Sequence, residues 1–356
     1  MKPVGSVGGA IVAVAVLAVA AGGACGQERP ALTIVDSLGR KVPVPGKVDR
    51  IISLEPEATR VIVALGAGES LVGIDYFLRH HDRLFPLVFP QGSRLPVVSN
   101  QGQEIRTEEA VRLRPDLVIA SPSEAWSADA IAKKIEVPVV ALSSMGRFAD
   151  LITEIEVLGQ LLRRQERASR LVSYLRTRLD EAARAGPRDA PGPGPSVYLA
   201  FWGSLVRTPV SYEPVEAAGG RNVASGLLPD SLGSTALTVS LEQLHVWDPD
   251  IILIHGNYPP DERRVTVEGL PKDPRIASLR AVRTGRVHYT FGFWYWWDPA
   301  LVVIETLYLA RLFRSGAMPS TELVRLGDEV FREFYGVEGA FGALCRVLEC
   351  HEWSTR

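Results

Sequence analysis

The chain has 356 residues, 46% hydrophobic and 22% charged, with 39 basic residues almost balancing 41 acidic ones to a net charge of −2. That composition supports one large domain or two ordinary ones with a real core, and it excludes a disordered chain; a mean hydropathy of +0.09 excludes a polytopic membrane protein. The even balance of charge also excludes the global basic field on which nucleic-acid binding depends.

Lys2 is the only charged residue before Glu28, and the stretch from Ala10 to Ala21 is built of Ala, Val, Ile and Leu in the manner of a signal-peptide hydrophobic region. Gly22, Gly23 and Ala24 follow, then Cys25. This order resembles the lipobox of bacterial lipoproteins, in which the cysteine thiol takes a diacylglyceryl group, although Gly22 stands where that motif carries an aliphatic residue. An ordinary cleaved signal and an uncleaved anchor are the alternatives, and all three place the rest of the chain outside the cytoplasm. In that compartment Cys345 and Cys350 are expected to form a disulfide, because two thiols beside His351 make an incomplete tetrahedral metal set.

A hairpin is predicted over residues 31–45, turning at Asp36-Ser37-Leu38-Gly39. Beyond it, strands are predicted at 51–54, 71–74, 117–120 and 139–142, with helices at 58–65, 107–113 and 128–134 between them. Such alternation implies an α/β fold with a mainly parallel sheet covered on both faces. One long helix comes next: Phe148, Leu151, Ile152, Ile155, Leu158, Leu161 and Leu162 keep helical spacing, and Leu171, Val172, Leu175 and Leu179 resume it past the charged run Arg163–Arg167. It runs out in a Pro- and Gly-rich stretch, 186–195. A second series has strands at 197–201, 251–254 and 286–289 and helices at 241–245 and 300–313. The expected organisation is a lipoprotein-type signal peptide (1–24), a first α/β lobe (25–146), a bridging helix (147–186), a second α/β lobe (187–318), and a C-terminal helix and tail (319–356).

The two series share a local repeat. Glu108 is followed, after six residues, by Pro115-Asp116 and the strand Leu117-Val118-Ile119-Ala120; Glu242 is followed, after six residues, by Pro249-Asp250 and the strand Ile251-Ile252-Leu253-Ile254. Recurrence at identical spacing suggests two lobes of related build.

No nucleotide-binding glycine motif, zinc-protease motif or nucleophile elbow is present, so no catalytic residue, cofactor or metal site is expected. His80-His81-Asp82 is the densest group of metal-capable side chains, but adjacent residues point apart, and a site would need partners such as His255 or His288. Aromatic residues carry the stronger signal, because they gather at predicted strand ends, where open α/β sheets bind ligands. Tyr76, Trp126, Trp202, Tyr258, Trp294 and Tyr295 are the candidate ligand-binding residues of this kind, joined by Arg79 and His80. Arg147 and Arg207 also fall in post-strand loops suited to an anion, and Trp296 and Trp297 fit a core or lid equally well.

The stretches Asp36–Val42, Arg50–Pro56, Ala64–Ala67, Leu71–Asp75, Glu108…Leu113–Ile119 and Phe331–Gly336 together resemble the solute-binding proteins of iron-siderophore, haem and cobalamin ABC importers, over roughly residues 32–336. The resemblance implies two α/β lobes bridged by a long helix with a ligand cleft between them. It further implies a monomer that captures a metal chelate and delivers it to a permease dimer driven by a cytoplasmic ATPase, without catalysis. The expected ligands are, in order, a ferric siderophore, cobalamin or haem, and an oxyanion such as molybdate; an extracytoplasmic enzyme acting on a metal complex is the alternative of another class. In this family one acidic residue at the tip of each lobe pairs with permease arginines, which the motif carries onto Glu108 and Glu242. Two departures stand out: Arg60 occupies a position that is often acidic, and Arg106-Thr107 replaces an Asn-Leu pair before Glu108.

Overall fold

The structure, a computed structural model, describes residues 14–15, 32–101, 104–122, 128–142, 147–185, 194–230, 235–293, 297–350 and 353. It opens on an antiparallel ribbon of β1 (Val14–Ala15), β2 (Leu32–Val35) and β3 (Lys41–Val44). The β2–β3 turn is set by Asp36, whose Oδ1 accepts from the backbone N–H groups of Leu38 and Arg40 at 3.0 Å each.

The first lobe contains β4 (Ile51–Ser53), α1 (Pro56–Ala64), β5 (Leu71–Ile74), α2 (Tyr76–His80), α3 (Phe85–Val88), α4 (Thr107–Arg112), β6 (Leu117–Ala120), α5 (Ala128–Ile135) and β7 (Val139–Ala141). Its four strands are all parallel, in the order β5-β4-β6-β7. Successive residues face opposite sides: Ile51, Leu117 and Ile119 enter the main core, and Ile52, Val118 and Ala120 a smaller second cluster.

Where one bridging helix was expected there are two, α6 (Phe148–Leu161) and α7 (Gln165–Ala185). Arg163, at φ +58°, ends α6 in the left-handed conformation, and the N–H groups of Arg163 and Arg164 return to the carbonyls of Gln160 (3.3 Å) and Gly159 (2.7 Å). Gly159 is required there, because a Cβ at that position would lie 2.5 Å from the Cβ of Ala168 on α7. The charged run that interrupts the apolar period is therefore the break itself.

The second lobe contains β8 (Ser196–Ala200), β9 (Arg207–Pro209), α8 (Glu213–Ala217), β10 (Arg221–Asn222), β11 (Ala236–Thr238), α9 (Leu241–Trp247), β12 (Ile251–His255), α10 (Arg280–Arg283) and β13 (Val287–Thr290). β9 and β11 form a separate antiparallel pair, and the main sheet is parallel in the order β10-β8-β12-β13. Both main sheets thus run second, first, third, fourth strand. The last described helices are α11 (Leu301–Ser315), α12 (Ser320–Tyr335) and α13 (Ala340–Val347), and Cys345 within α13 is bridged to Cys350 beyond it. No described helix is long and apolar enough to cross a membrane.

The sequence repeat has a structural reason. Asp116 Oδ2 accepts from the N–H groups of Asp49 and Arg50 (2.9 Å each), just before β4, and Asp250 Oδ2 accepts from the Ser196 N–H (2.9 Å) and hydroxyl (2.7 Å), at the start of β8. In each lobe this aspartate fastens the third strand to the first. The residues before the two prolines, Arg114 and Asp248, are both left-handed (φ +45° and +37°), so each preceding helix ends with the same reversal.

Candidate functional site

In each sheet the strand order reverses between the first and third strands, and in open α/β sheets ligands bind beyond the strands' carboxyl ends at such a switch point. In the second lobe it is built around His255, the last residue of β12. The imidazole is buried and stacked on Phe201 (centroids 3.8 Å apart, 24° between planes). Backbone N–H groups of Trp202 and Phe293 approach its Nδ1 and Nε2 at 3.1 and 3.2 Å. An imidazolium would turn hydrogens towards both donors, and burial pushes the pKa down to about 3, so His255 is neutral. Gly292 lets the backbone just after β13 pass close to the ring, since a Cβ there would fall 2.0 Å from it. With both nitrogens covered, His255 is a brace, and no metal-holding group of three His, Cys, Asp or Glu occurs among the described residues.

This brace fixes Trp202, which follows β8 at φ +53°, a costly conformation for a bulky side chain and one that clusters at functional sites. Its ring lies parallel to Phe293 (6.0 Å, 18°), with the Arg207 guanidinium 5.1 Å above it. Tyr258, half-buried, stands 6.3 Å from the His255 ring. In the first lobe Tyr76 leaves β5 onto α2, which Asp75 caps through the Leu78 N–H (3.0 Å). One turn on, His80 stacks on Tyr76 with centroids 4.3 Å apart. An exposed ion pair between Arg83 and Glu262 (3.7 Å) spans from the chain beyond α2 to the segment beyond Tyr258.

The other singled-out positions have these surroundings. The Arg79 guanidinium donates from Nη1 to the carbonyls of Gly92 (3.4 Å) and Ser93, pinning a loop of its own lobe. Arg147 pairs with Asp150 at 3.5 Å, at the start of α6. His80, His81 and Asp82 do not converge: the histidines pack on Tyr76 and Phe77, while Asp82 is buried and accepts from the Leu84 (2.8 Å) and Phe85 (3.2 Å) N–H groups. Trp297 is core, packed on Phe148 at 5.3 Å. Trp126, Trp294, Tyr295 and Cys25 lie outside the described residues.

Two features carry little sequence signal. Arg60, fully buried in α1, reaches Asp82 (2.6 Å) and, across the lobes, Asp298 (3.2 Å), which also accepts from the Tyr335 hydroxyl (2.5 Å). Burial works against the Arg60 charge, but the two carboxylates more than offset it. Nearby, Glu55, Glu57 and Asp75 are wholly buried. Burial first, and neighbouring carboxylates second, raise Glu55 and Glu57 well above the ordinary range; burial raises Asp75 to about 7.

Glu108 and Glu242 are exposed, each the second residue of its helix, at equivalent points of the two lobes. Ser240 caps α9 by accepting from the Gln243 N–H (3.1 Å), and the N-terminal N–H groups with the Ser240 hydroxyl hold Glu242 below the usual carboxylate range. Residues Arg106, Thr107, Glu108, Glu109 and Arg112 border a surface hollow of about 420 Å³.

Residues 51–291 match the family model described as periplasmic binding protein. The cobalamin-binding protein of Halobacterium salinarum is 24% identical over 258 residues, 68% of this chain and 67% of that one. The molybdate-binding protein MolA of Haemophilus influenzae is 22% identical over 334 residues, 85% and 90% of the two chains; its molybdate-bound structure superposes with a TM-score of 0.69 over 86% of this chain and 98% of that one. The haem-binding protein HutB of Vibrio cholerae, 19% identical, gives a TM-score of 0.56 over 75% and 97%.

Proposed function

Because the chain belongs to the periplasmic binding protein family, we propose that it captures a corrinoid of the cobalamin class between its lobes and hands it to the permease of an ABC importer. The observation that carries this reading is the aromatic rim, with Trp202 held in strained backbone between Phe293 and Arg207 and with Tyr258 and Tyr76 beside the crevice. Flat, partly polar rings of this kind suit a bulky ligand that is itself largely apolar. An anionic ferric siderophore ranks second, because Arg79 is committed to backbone carbonyls. Molybdate is the reading favoured by the length of the match to MolA.

Tryptophan fluorescence titrated with cyanocobalamin, haemin, a ferric catecholate and molybdate separates these ligands. Cyanocobalamin should quench, and Trp202→Ala should weaken binding more than about tenfold, as truncating a dominant aromatic contact costs about 2 kcal/mol. A response to molybdate alone would overturn the corrinoid reading.

Delivery is proposed to use Glu108 and Glu242 as paired contacts for basic residues of the permease. Glu108→Gln with Glu242→Gln should leave ligand affinity intact and weaken uptake in reconstituted vesicles, and association should also fall as salt rises. Normal uptake by the double variant would reject this docking mode. Anchoring through an acylated Cys25 predicts that a fatty-acid analogue labels the wild type and not Cys25→Ser.

A further inference from the structure

The C-terminal tail lies beyond the matched residues 51–291, yet it reaches the ligand crevice. Trp353 is buried, with its indole against Gly256, the residue that follows His255 at the end of β12. A Cβ on Gly256 would fall 2.3 Å from the indole, so this glycine is the seat for that ring. Around it stand Phe291 (4.9 Å), Tyr289 (5.7 Å) and Tyr308 (6.4 Å), from β13, the loop after it and α11.

A second tie runs through Arg263. Its guanidinium donates to the carbonyls of Tyr258 (3.0 Å) and Gly256 (3.4 Å) and, in the tail, to that of Leu348; it also covers the Tyr289 ring at 4.5 Å. Asn257, between these carbonyls, donates to the Phe293 carbonyl (3.1 Å), joining the loop after β12 to the loop after β13. Trp353 itself is placed by the Cys345–Cys350 bridge, because its N–H donates to the Cys350 carbonyl (3.2 Å). Gly327 admits the Phe341 ring, seating α13 on α12.

We propose that this disulfide-closed tail is a strut for the ligand loop, with Trp353 and Arg263 as positioning residues that hold Gly256, Asn257 and Tyr258 in their binding conformation. A strut differs from a general stabiliser in being local. It fixes a loop before the ligand arrives, so less ordering is left to be done on binding. Its affinity consequence rests on the reading of the crevice given above; its effect on the loop does not.

Hydrogen exchange on the ligand-free full chain tests the loop. In Trp353→Ala, and in Cys345→Ser with Cys350→Ser, the N–H groups of residues 256–258 should exchange about tenfold faster or more, while those of β4 and β6 keep their rates. Trp353→Phe, which retains a ring against Gly256, should restore slow exchange. Calorimetric titration with cyanocobalamin should show about tenfold weaker binding in Trp353→Ala and no further loss when the change is made in Tyr258→Ala, because the two act through one loop. Unaltered exchange at 256–258 in the alanine and disulfide-free variants overturns the strut, and if Trp353→Ala does not fold, the disulfide-free variant decides alone. A wild type that ignores cyanocobalamin overturns the corrinoid reading and leaves the exchange result standing.

Discussion

The two lobes have one scaffold and two different mouths. Strand order, parallel pairing, the left-handed residue before each Pro-Asp and the carboxylate that fastens the third strand to the first recur in both. At the switch points the likeness ends. The first lobe gathers the buried acids Glu55, Glu57 and Asp75, and the second gathers Phe201, Trp202, His255 and Tyr258. What the fold needs is repeated, and the strand-end residues are not. The strand-end loops are thus free to diverge while the strand starts, tied by Asp116 and Asp250, are not.

The largest expected effect comes from removing the link between the lobes. Arg60→Met leaves Asp82 and Asp298 buried without their cation, and destabilisation of about 3–5 kcal/mol is expected from chemical denaturation. A loss below about 1 kcal/mol would mean that the lobes do not depend on this link.

Next is a pH dependence that each lobe carries separately. Burial raises Asp75 in the first lobe and Glu305 in the second, each to about 7. Both therefore bind a proton more tightly folded than unfolded. The stability they contribute is present at low pH, is lost as pH rises from about 4 towards 7, and does not change further above that. His255, held neutral by burial, contributes with the opposite sign below the ordinary imidazole range, so the test is differential: Asp75→Asn and Glu305→Gln should each lower the melting temperature more at pH 5 than at pH 8. An equal change at both pH values in the two variants would assign the dependence elsewhere.

The smallest effect tests the repeat itself. Asp116→Ala and Asp250→Ala should each cost about 1–2 kcal/mol, as loss of hydrogen bonds to a charged acceptor does. Closely matched losses in denaturant midpoints are expected; a large inequality would make the repeat one of sequence only.

Much of the scaffold was legible. Runs such as Leu117–Ala120 and Ile251–His255 are continuous apolar segments, the pattern of strands buried on both faces, and their positions agree with expectation to within a residue. β10 is not legible, because Arg221-Asn222 has no apolar signature and only its pairing with β8 specifies it. The break between α6 and α7 was hidden because a left-handed arginine looks like any other in a charged run. Around His255, the place of Trp202 and Tyr258 after strands is legible in the sequence. His255 carries only a metal-ligand signal in sequence, because a buried ring wedged between two backbone N–H groups, accepting from one of them, leaves no mark there. Arg60 was noticed as a departure, but its partner Asp298 is too distant along the chain for any local pattern to join them.

Helix α1 is synthesised early and covered late. Part of its cover is α12, and Arg167 on α7 clamps the two by donating to the carbonyls of Ala64 and Phe334 at 3.0 Å each. An emerging or translocating chain therefore exposes the apolar flank of its first lobe until its last helices are available to close it. Closure over so long a loop carries an entropic cost before any contact rewards it, which slows the step and leaves the half-built lobe prone to aggregation. For this chain the vulnerable interval is the wait for the segment from Ser320 onwards, and a truncation before α12 should accumulate in inclusion bodies rather than as soluble protein.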